Sequence, residues 1–457
     1  MIHSVDPYTG LETARFTAHT PAEVDAILSA AARAQRQWRS VRIEYRVALL
    51  RRLAGVLRAG KADYARLITI EMGKPIVEAE AEIEKCAVAC DYYAENAPRF
   101  LADERVESGA TTSTLIFEPL GVVLAIMPWN YPFWQAMRFA VPAIAAGNGV
   151  LLKHANTVPQ CALAIEAAIG EAGAPDGLMR SLLIEASEVA GLIADDRVAA
   201  VTLTGSTEVG GIVAAQAGKA IKKLVLELGG SDPFIVLADA DIDAAARVAV
   251  KARFGNAGQS CISAKRIIVE QSVADRFVAL FVAGVAALKQ GDPQDRSTEI
   301  GPMARENLRS GLHSQVERTL AAGGELKLGG AAVDGPGFAY RPTVIDHVTP
   351  DLVAFREETF GPVAAIVRAA DADEAVALAN QTEFGLGAAL WTGDPDRANA
   401  LARRIEAGSV FVNGMVASDV RLPFGGIKQS GYGRELGSHG LREFTNMKTL
   451  WVGPARV

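Results

Sequence analysis

Apolar residues recur every three or four positions through the first hundred residues, which is the spacing of amphipathic helices. Thr20-Pro21-Ala-Glu23 has the form of a capping box with proline at the first helical position. Helices are predicted from this box to residue 38 and over residues 44–59, 61–72 and 77–100. We interpret this helical segment as packing and assign it no chemistry.

From residue 111 onward, short apolar and β-branched runs alternate with helical segments. Val122–Ile126 is a continuous apolar run, which is typical of a strand buried on both faces. Other strands are predicted at residues 111–118, 150–153, 180–184, 198–203, 223–227, 234–237, 266–270, 387–391, 409–413 and 446–452. Helices are predicted among them at residues 160–172, 209–217, 241–253, 272–289, 307–322, 371–380 and 395–406. This alternation predicts parallel sheets with helices on both sides.

The alternating pattern restarts after Pro233, and Gly229-Gly230 lies just before that point. Two glycines in succession allow the chain to bend there. We therefore predict an α/β fold with two α/β domains that meet near residue 229. The final strand, at residues 446–452, follows the second domain.

Composition narrows the function classes further. The 457 residues are half hydrophobic and carry a net charge of −7 with no basic block, which argues against a nucleic-acid partner. No apolar run reaches the length of about 18 residues expected of a membrane span, and the first residues lack the basic and apolar regions of a signal peptide. The four cysteines are too few to staple the chain, so we expect a reducing compartment, the cytoplasm. The six histidines are scattered, so no metal site is predicted.

The stretch Phe254-Gly-Asn-Ala-Gly-Gln-Ser-Cys261 places a cysteine after a glycine-rich run and before a predicted strand. Glycines let a backbone approach a ligand closely, so a thiol here suits the bottom of a cleft. On this stretch alone, a reactive Cys261 and a structural one remain equally open.

Two βα turns indicate where a phosphate-bearing ligand could bind. Gly205-Ser206 follows a predicted strand and opens a helix, whose free N–H groups and dipole favour an anion. Lys153 ends another strand and would face the crevice of the sheet. A plain turn and a surface lysine are the alternatives.

Three motifs together resemble the aldehyde dehydrogenase superfamily, namely Pro128-Trp-Asn130-Tyr-Pro132, Leu226-Glu227-Leu-Gly-Gly230 and the Cys261 stretch. Glu357-Glu-Thr-Phe360-Gly-Pro and Pro423-Phe-Gly-Gly-Ile-Lys-Gln-Ser-Gly-Tyr-Gly433 extend the resemblance, which covers essentially the whole chain. Residues 152–155 and 227–236 look most like the succinate-semialdehyde dehydrogenase branch.

The resemblance implies the roles at the reacting centre. Cys261 would attack an aldehyde carbon, while the side chain of Asn130 and the backbone N–H of Cys261 would stabilise the oxyanion. Glu227 would be the base for thioester hydrolysis. A turn residue at 130 and a solvated strand end at 227 are the alternatives for each motif taken alone.

The resemblance also implies a dinucleotide cofactor, NADP or NAD. The cofactor-binding residues that it indicates are Trp129, Asn130, Lys153, Asn156, Gly205, Ser206, Leu228, Glu358 and Phe360. The family commonly has a glutamate where this chain has Asn156, and that glutamate accepts a hydrogen bond from the ribose 2′-hydroxyl. Without the carboxylate a 2′-phosphate meets no repulsion, so NADP is tolerated and slightly favoured.

Domain roles follow from the same resemblance. Residues 1–108 and 122–229 would form a Rossmann-like NAD(P)-binding domain, and residues 230–428 an α/β catalytic domain. Residues 109–121 and 429–457 would form a small β oligomerisation element and tail, since in the family such a tail joins the sheet of a neighbouring subunit. A homodimer or homotetramer is expected.

Succinate semialdehyde is the leading substrate. Arg138 lies in a mostly apolar helix start and could bind the distal carboxylate, with Ser418 as a second contact. A structural ion pair or a side chain that extends to solvent is the alternative for Arg138. The branch often has an arginine six residues before the nucleophile, where this chain has Gly255, and this departure weakens the assignment. Ser263 replaces the second cysteine of some members, which argues against a disulfide switch.

Three other functions stay open. The chain could oxidise another small aldehyde, or it could be a CoA-acylating enzyme, against which Glu227 argues because transfer to CoA needs no base for water. It could also be a non-catalytic protein on this fold, which would be expected to lack Cys261, Asn130 or Glu227.

Overall fold

The structure is a computed structural model that describes residues 1–453; the last four residues of the predicted tail element lie outside this range. Its α-helices are α1 (Pro21–Trp38), α2 (Ile43–Ala59), α3 (Lys61–Met72), α4 (Ile76–Phe100), α5 (Pro132–Ala146), α6 (Pro159–Glu171), α7 (Val189–Ala194), α8 (Thr207–Lys219), α9 (Ile242–Phe254), α10 (Gln271–Ala286), α11 (Glu306–Ala321), α12 (Val353–Arg356), α13 (Ala372–Asn380), α14 (Pro395–Ala402) and α15 (Gly437–Glu443).

The strands are β1 (Ile2–Val5), β2 (Glu12–Phe16), β3 (Glu104–Arg105), β4 (Thr112–Pro119), β5 (Val122–Met127), β6 (Gly149–His154), β7 (Met179–Ser181), β8 (Val198–Thr204), β9 (Lys223–Glu227), β10 (Asp232–Val236), β11 (Ala264–Glu270), β12 (Glu325–Leu328), β13 (Thr343–Asp346), β14 (Val363–Ala369), β15 (Gly387–Trp391), β16 (Ser409–Val412), β17 (Gly431–Tyr432) and β18 (Thr445–Val452). β1 and β2 form a separate antiparallel hairpin.

A six-stranded sheet has the order β17-β9-β8-β5-β6-β7, and it is parallel except for β17. Alternate residues of β5 enter two different apolar clusters, with Val123 on one side and Leu124 on the other. The apolar run at residues 122–126 is therefore buried on both faces, as predicted.

A seven-stranded sheet has the order β12-β13-β14-β11-β10-β15-β16, and it is parallel except for β12. Ile235 and Phe234 of β10 point into the two clusters on its opposite faces. The predicted α/β class with two parallel-based sheets is confirmed.

Four residues, Leu228–Ser231, carry the chain from β9 in one sheet to β10 in the other. Ser430 fixes this crossing, because its carbonyl oxygen accepts from the Leu228 N–H at 3.0 Å and its hydroxyl donates to the Gly229 carbonyl oxygen at 2.6 Å. The predicted boundary near residue 229 thus falls where the chain changes sheets.

A third sheet has the order β18-β4-β3 and is antiparallel. The predicted tail strand is present, and it pairs with β4 of the same chain from Thr445 opposite Pro119 to Val452 opposite Thr112. Met447 and Trp451 on this strand are more than half exposed, at 63% and 56%. This sheet therefore presents apolar side chains to its surroundings.

The strand predicted at residues 180–184 is shorter in the structure and ends at Ser181. Beyond it, the Leu183 carbonyl oxygen accepts from the His19 N–H at 2.7 Å, and the Leu183 N–H donates to His19 Nδ1 at 3.2 Å. These backbone groups pair outside the sheet, which ends the strand. Across residues 1–453, no helix has the length and apolar character needed to cross a bilayer.

Candidate active site

The carboxyl ends of the parallel strands carry most of the residues that the sequence singled out. β5 ends three residues before Asn130, β6 ends beside Lys153, and β9 ends at Glu227. Because parallel strands end at the same edge of a sheet, these residues line one crevice. Asn130 Nδ2 donates to the Gln259 carbonyl oxygen at 3.0 Å, which joins this crevice to the loop that carries Cys261.

The loop before Cys261 makes a left-handed turn over three successive residues. The φ angle is 53° at Asn256, 51° at Ala257 and 69° at Gly258. This region costs a non-glycine residue about 1–2 kcal/mol, so the surroundings must impose it. Glycine is required at position 258, because a Cβ there would lie 2.3 Å from the Gly361 carbonyl oxygen.

Two side chains from other elements hold this turn. Glu78 of α4 accepts the Asn256 N–H at 2.9 Å. Arg253 of α9 donates through Nη2 to the carbonyl oxygens of Thr359 at 2.8 Å and Gly361 at 2.5 Å. The turn is therefore fixed both to the N-terminal helices and to the segment that contains Glu358 and Phe360.

Two N–H donors remain available near the thiol. The Asn130 side chain is buried, and its amide gives one hydrogen bond to the loop, at the Gln259 carbonyl oxygen. Within residues 1–453, no oxygen accepts the backbone N–H of Cys261. One N–H of the Asn130 amide and the Cys261 backbone N–H can thus stabilise a developing oxyanion.

The Cys261 thiol is partly exposed, whereas Cys86, Cys90 and Cys161 are buried. Burial in the cleft raises the pKa of the Cys261 thiol to about 12, although Lys265 and Arg138 act in the opposite direction. The thiol is therefore protonated at neutral pH, so its attack on a carbonyl carbon requires a proton acceptor.

Glu227 is a buried carboxyl group, and within residues 1–453 neither of its oxygens has a hydrogen-bond partner. Burial and the neighbouring Glu435 raise the pKa of Glu227 to about 8. A Cβ at Gly425 would lie 2.7 Å from Glu227 Oε1, so this glycine leaves room for the carboxyl group. An unpartnered carboxyl group with a pKa near neutrality is suited to accept a proton from water or from the thiol.

Arg138 lies on α5 and is only 2% exposed. Its Nε forms an ion pair with Glu435 Oε2, and its guanidinium carbon lies 4.8 Å from the centre of the Phe424 ring. The structural ion pair that the sequence left open as an alternative is therefore present. The assignment of Arg138 as a substrate contact stays a prediction.

Ser418 lies in the segment between β16 and β17, and the residue is 9% exposed. Lys85 of α4 donates through Nζ to Ser418 Oγ at 2.6 Å. The structure thus places a lysine, which sequence reasoning missed, beside the second predicted substrate contact.

The predicted anion site is an open helix N-terminus. Ser206 caps α8 by accepting the Val209 N–H at 3.3 Å. Within residues 1–453, no acceptor takes the N–H groups of Thr207 or Glu208. These amides and the helix dipole fit a pyrophosphate group next to Gly205.

At the end of β6, Lys153 Nζ donates to Asn156 Oδ1 at 2.8 Å. Asn156 Nδ2 in turn donates to Glu185 Oε2 at 2.9 Å. Sequence reasoning noted the missing carboxylate at position 156 but missed that Glu185, 29 residues later, supplies one from a neighbouring loop. A hydroxyl or phosphate on an adenosine ribose here would meet a lysine, an amide and an exposed carboxylate.

The remaining predicted cofactor residues surround the crossing between the sheets. Glu358 Oε1 accepts the Gly230 N–H at 3.1 Å and pairs with Lys265 Nζ at 3.0 Å. Phe360 packs edge-on against Trp129, with ring centres 5.8 Å apart. Leu228 is buried at the start of the crossing. The predicted residues thus fall into two groups, one around the helix N-terminus and one near Cys261.

Sequence reasoning missed Glu78, Arg253, Glu435 and Lys85, which all contact a predicted site residue or its loop. Glu78 and Lys85 are seven residues apart on α4 and thus lie on one helix face. Glu82 lies between them on the same face and is buried, so a row of three charged residues on the packed side of α4 is the signal that could have directed attention to this segment. Within residues 1–453, no group of histidine, cysteine and carboxylate side chains could hold a metal ion.

Comparison with known proteins gives a consistent result. The model of the aldehyde dehydrogenase family matches residues 1–450. The chain is 50% identical to the probable NADP(+) succinate-semialdehyde dehydrogenase of Synechocystis sp., over 99% of both chains. It is also 50% identical to the NAD(P)+ succinate semialdehyde dehydrogenase Sad of Escherichia coli, over 98% of this chain and 97% of that protein. The solved structure of succinic semialdehyde dehydrogenase from Streptococcus pyogenes with NADP+ as the cofactor has a TM-score of 0.97, 38% identity, and coverage of 99% of this chain and 100% of that chain.

Proposed function

Because the chain belongs to the aldehyde dehydrogenase family, we propose that it oxidises succinate semialdehyde to succinate with NADP or NAD. The observation that carries this proposal is the full-length match, at 50% identity, to proteins named for this reaction. The geometry is consistent with it, since Asn130 follows one parallel strand and Glu227 ends another, both at one edge of a sheet, and a hydrogen bond from Asn130 joins that edge to the loop of Cys261.

The first step forms a bond between Cys261 Sγ and the aldehyde carbon, while the thiol proton leaves to a base. The carbonyl oxygen becomes an oxyanion, which the Asn130 side chain and the Cys261 backbone N–H stabilise. Because burial raises the pKa of the Cys261 thiol, a base must accept its proton before the sulfur can attack the aldehyde carbon. Glu227 is the candidate to accept the proton, because its carboxyl group is buried without a hydrogen-bond partner in the described residues.

When bound, the dinucleotide supplies the acceptor for the hydride that leaves the tetrahedral carbon, and a thioester on Cys261 remains. The free amides at the start of α8 and the side chains of Lys153 and Asn156 would hold the adenosine diphosphate half. Glu358, beside Gly230, and Phe360, against Trp129, would hold the nicotinamide half.

Hydrolysis of the thioester requires an activated water. After Glu227 has released the proton of Cys261 to solvent, it removes a proton from that water, and the hydroxide attacks the acyl carbon. Cys261 then leaves as a thiol by taking this proton back from Glu227. The same donors stabilise the second oxyanion. A CoA-acylating enzyme would have no use for a buried base in this position, so Glu227 favours hydrolysis.

A paired assay tests the proposed function. Purified protein is assayed with succinate semialdehyde, butyraldehyde and acetaldehyde, each with NADP and with NAD. We expect kcat/KM to be highest for succinate semialdehyde, with activity for both cofactors and a moderate advantage for NADP. A higher kcat/KM for an uncharged aldehyde would contradict the substrate, and activity only with added CoA would favour acyl transfer instead.

Replacement of Asn156 by glutamate should lower use of NADP far more than use of NAD. A carboxylate at this position would face the 2′-phosphate of NADP beside the existing carboxylate of Glu185. Like charges at this distance should reduce the NADP/NAD ratio of kcat/KM by about tenfold or more. Asn156→Gln, which adds no charge, is the matched control, and an unchanged ratio in Asn156→Glu would show that residue 156 does not lie at the ribose.

Arg138 provides a second test of the substrate. If its guanidinium reaches the distal carboxylate, Arg138→Ala should raise KM for succinate semialdehyde by a large factor and leave butyraldehyde almost unaffected. If it serves only to neutralise Glu435, both aldehydes should suffer equally and the melting temperature should fall, because a buried carboxylate would lose its partner. The ratio of the two kcat/KM values separates these results.

We also propose that the enzyme is a cytoplasmic homodimer or homotetramer. Its four cysteines are free thiols, which suits a reducing compartment. The third sheet, β18-β4-β3, exposes Met447, Leu450 and Trp451, and burial of such side chains against a second subunit would be favourable. Light scattering of the full chain and of a Trp451→Lys variant measures the assembly state.

A further inference from the structure

Lys85 is a lysine in unusual surroundings. It projects from α4, where its Nζ donates to Ser418 Oγ at 2.6 Å and lies 4.3 Å from the centre of the Trp134 ring. Burial, together with the nearby Arg138, lowers the pKa of Lys85 to about 8. An ammonium group in such a place is destabilised unless an anion comes close to it.

Two lysines with almost no exposed surface, Lys74 and Lys265, have a carboxylate partner. Lys74 pairs with Glu82, and Lys265 pairs with Glu358. Within residues 1–453, no carboxylate forms an ion pair with Lys85. The nearby carboxylate of Asp419 is instead held by Arg421, with hydrogen bonds of 2.8 and 2.5 Å. In the part of the chain that the structure describes, Lys85 therefore lacks the ion pair that Lys74 and Lys265 have.

The groups around Lys85 pack in the same apolar cluster as Cys261. Trp134 and Phe424 are members of the apolar cluster against which Cys261 packs. Arg138, one helical turn after Trp134, lies over the Phe424 ring and is close enough to affect the pKa of both Lys85 and Cys261. Arg138 is thus a neighbour that Lys85 and Cys261 have in common.

Beside Lys85 lies a hydrogen-bond donor that has no acceptor in the described residues. Trp134 is 3% exposed, and within residues 1–453 its indole Nε1–H has no hydrogen-bond partner. Buried donors without an acceptor are rare in proteins and are commonly satisfied by a bound ligand or water. Arg138 differs from Lys85 here, because Glu435 already neutralises its guanidinium.

We propose that Lys85, together with the hydroxyl of Ser418, binds the distal carboxylate of the aldehyde substrate and so selects acidic aldehydes over neutral ones. This inference rests on the proposed function and assigns its substrate selectivity to a residue of α4. Arg138 then acts as a positioning residue, whose pairing with Glu435 leaves the lysine as the cation available to the substrate. This chain has Gly255, and no arginine, six residues before Cys261. Lys85 would supply the positive charge that such an arginine could have offered to the substrate.

The test compares Lys85→Met with Lys85→Arg. Methionine keeps the length and the packing against Trp134 but removes the charge, whereas arginine keeps the charge. We expect Lys85→Met to lower kcat/KM for succinate semialdehyde by about 30-fold, chiefly through KM, as for the loss of one partly desolvated charge pair. For butyraldehyde the change should stay within about threefold, and Lys85→Arg should recover most of the loss. Lys219→Met, the same change at an exposed lysine at the end of α8, is the matched control and should behave like the wild type.

Each result has a distinct meaning. Equal losses for both aldehydes, or no loss for succinate semialdehyde, would overturn the role of Lys85. A wild-type enzyme that does not prefer succinate semialdehyde over butyraldehyde would instead overturn the proposed function itself.

Binding of succinate to Cys261→Ala protein, measured by calorimetry with and without Lys85→Met, gives a readout that is independent of turnover. Weakening of that binding supports the proposal, and unchanged binding contradicts it.

Discussion

Replacement of Cys261 by alanine should abolish NAD(P)H formation from any aldehyde, with a fall in kcat of at least about four orders of magnitude. The thiol supplies the bond on which both half-reactions depend, and water cannot take its place in the hydride step. Because the side chain is partly exposed and adds little to the core, the fold and the binding of the dinucleotide should be almost unchanged. Steady-state assays and cofactor titration by fluorescence measure the two quantities.

The other cysteines provide the control for this result. Cys90→Ala removes a buried thiol of α4 that contacts no predicted site residue, and it should keep near-normal turnover. Retained activity in Cys261→Ala, or loss of cofactor binding along with activity, would show that Cys261 is not the nucleophile.

Replacement of Glu227 by glutamine should separate the two halves of the reaction. If attack and hydride transfer can use another proton acceptor, one equivalent of NAD(P)H per active site should appear rapidly and steady turnover should then fall by about 10²–10⁴-fold. The amide keeps the shape of the buried group but cannot accept the proton from water. Rapid mixing with excess aldehyde measures both the burst and the slow phase.

The same residue predicts a pH dependence. Burial and Glu435 raise the pKa of Glu227 to about 8, so the carboxyl group is mostly neutral at pH 6 and becomes ionised above pH 8. Where deacylation limits the rate, kcat should therefore rise with pH through this range, and Glu227→Gln should lose the rise. Glu357→Gln, which alters an exposed glutamate paired with Arg318, is the control and should keep the wild-type profile. In the rapid-mixing experiment, a Glu227→Gln enzyme that shows no burst and turns over at the normal rate would mean that another group activates the water.

The sequence predicted the fold well where a pattern is local. The run at residues 122–126 is a central strand, and the capping box at Thr20 is present, with the Glu23 carboxylate accepting the Thr20 N–H at 2.7 Å. It predicted less well where the partner of a segment is distant. Strand β7 begins at Met179 and is short because Leu183 pairs with His19, a contact across 164 residues that no local pattern encodes.

The same distinction explains the candidate site. Asn130, Glu227 and Cys261 could be predicted because each lies within a motif that resembles one of the family. Lys85, Glu185 and Glu435 were missed because each reaches its partner only through tertiary packing, and neither spacing nor residue type identifies it. Arg138 was predicted as a substrate contact, and its ion pair with Glu435, 297 residues further along the chain, could be given only as an open alternative.

The left-handed turn at residues 256–258 also bears on how the protein reaches its active form. Its anchors lie far away in the chain, since Glu78 is 178 residues from Asn256 and Arg253 is 108 residues from Gly361. Contacts of this separation form late, because the entropy of closing long loops opposes them until most of the chain is in place. Helices α1–α4 can gain their secondary structure long before the thiol reaches its position. We therefore expect recovery of activity after dilution from denaturant to lag behind recovery of the far-ultraviolet circular dichroism signal.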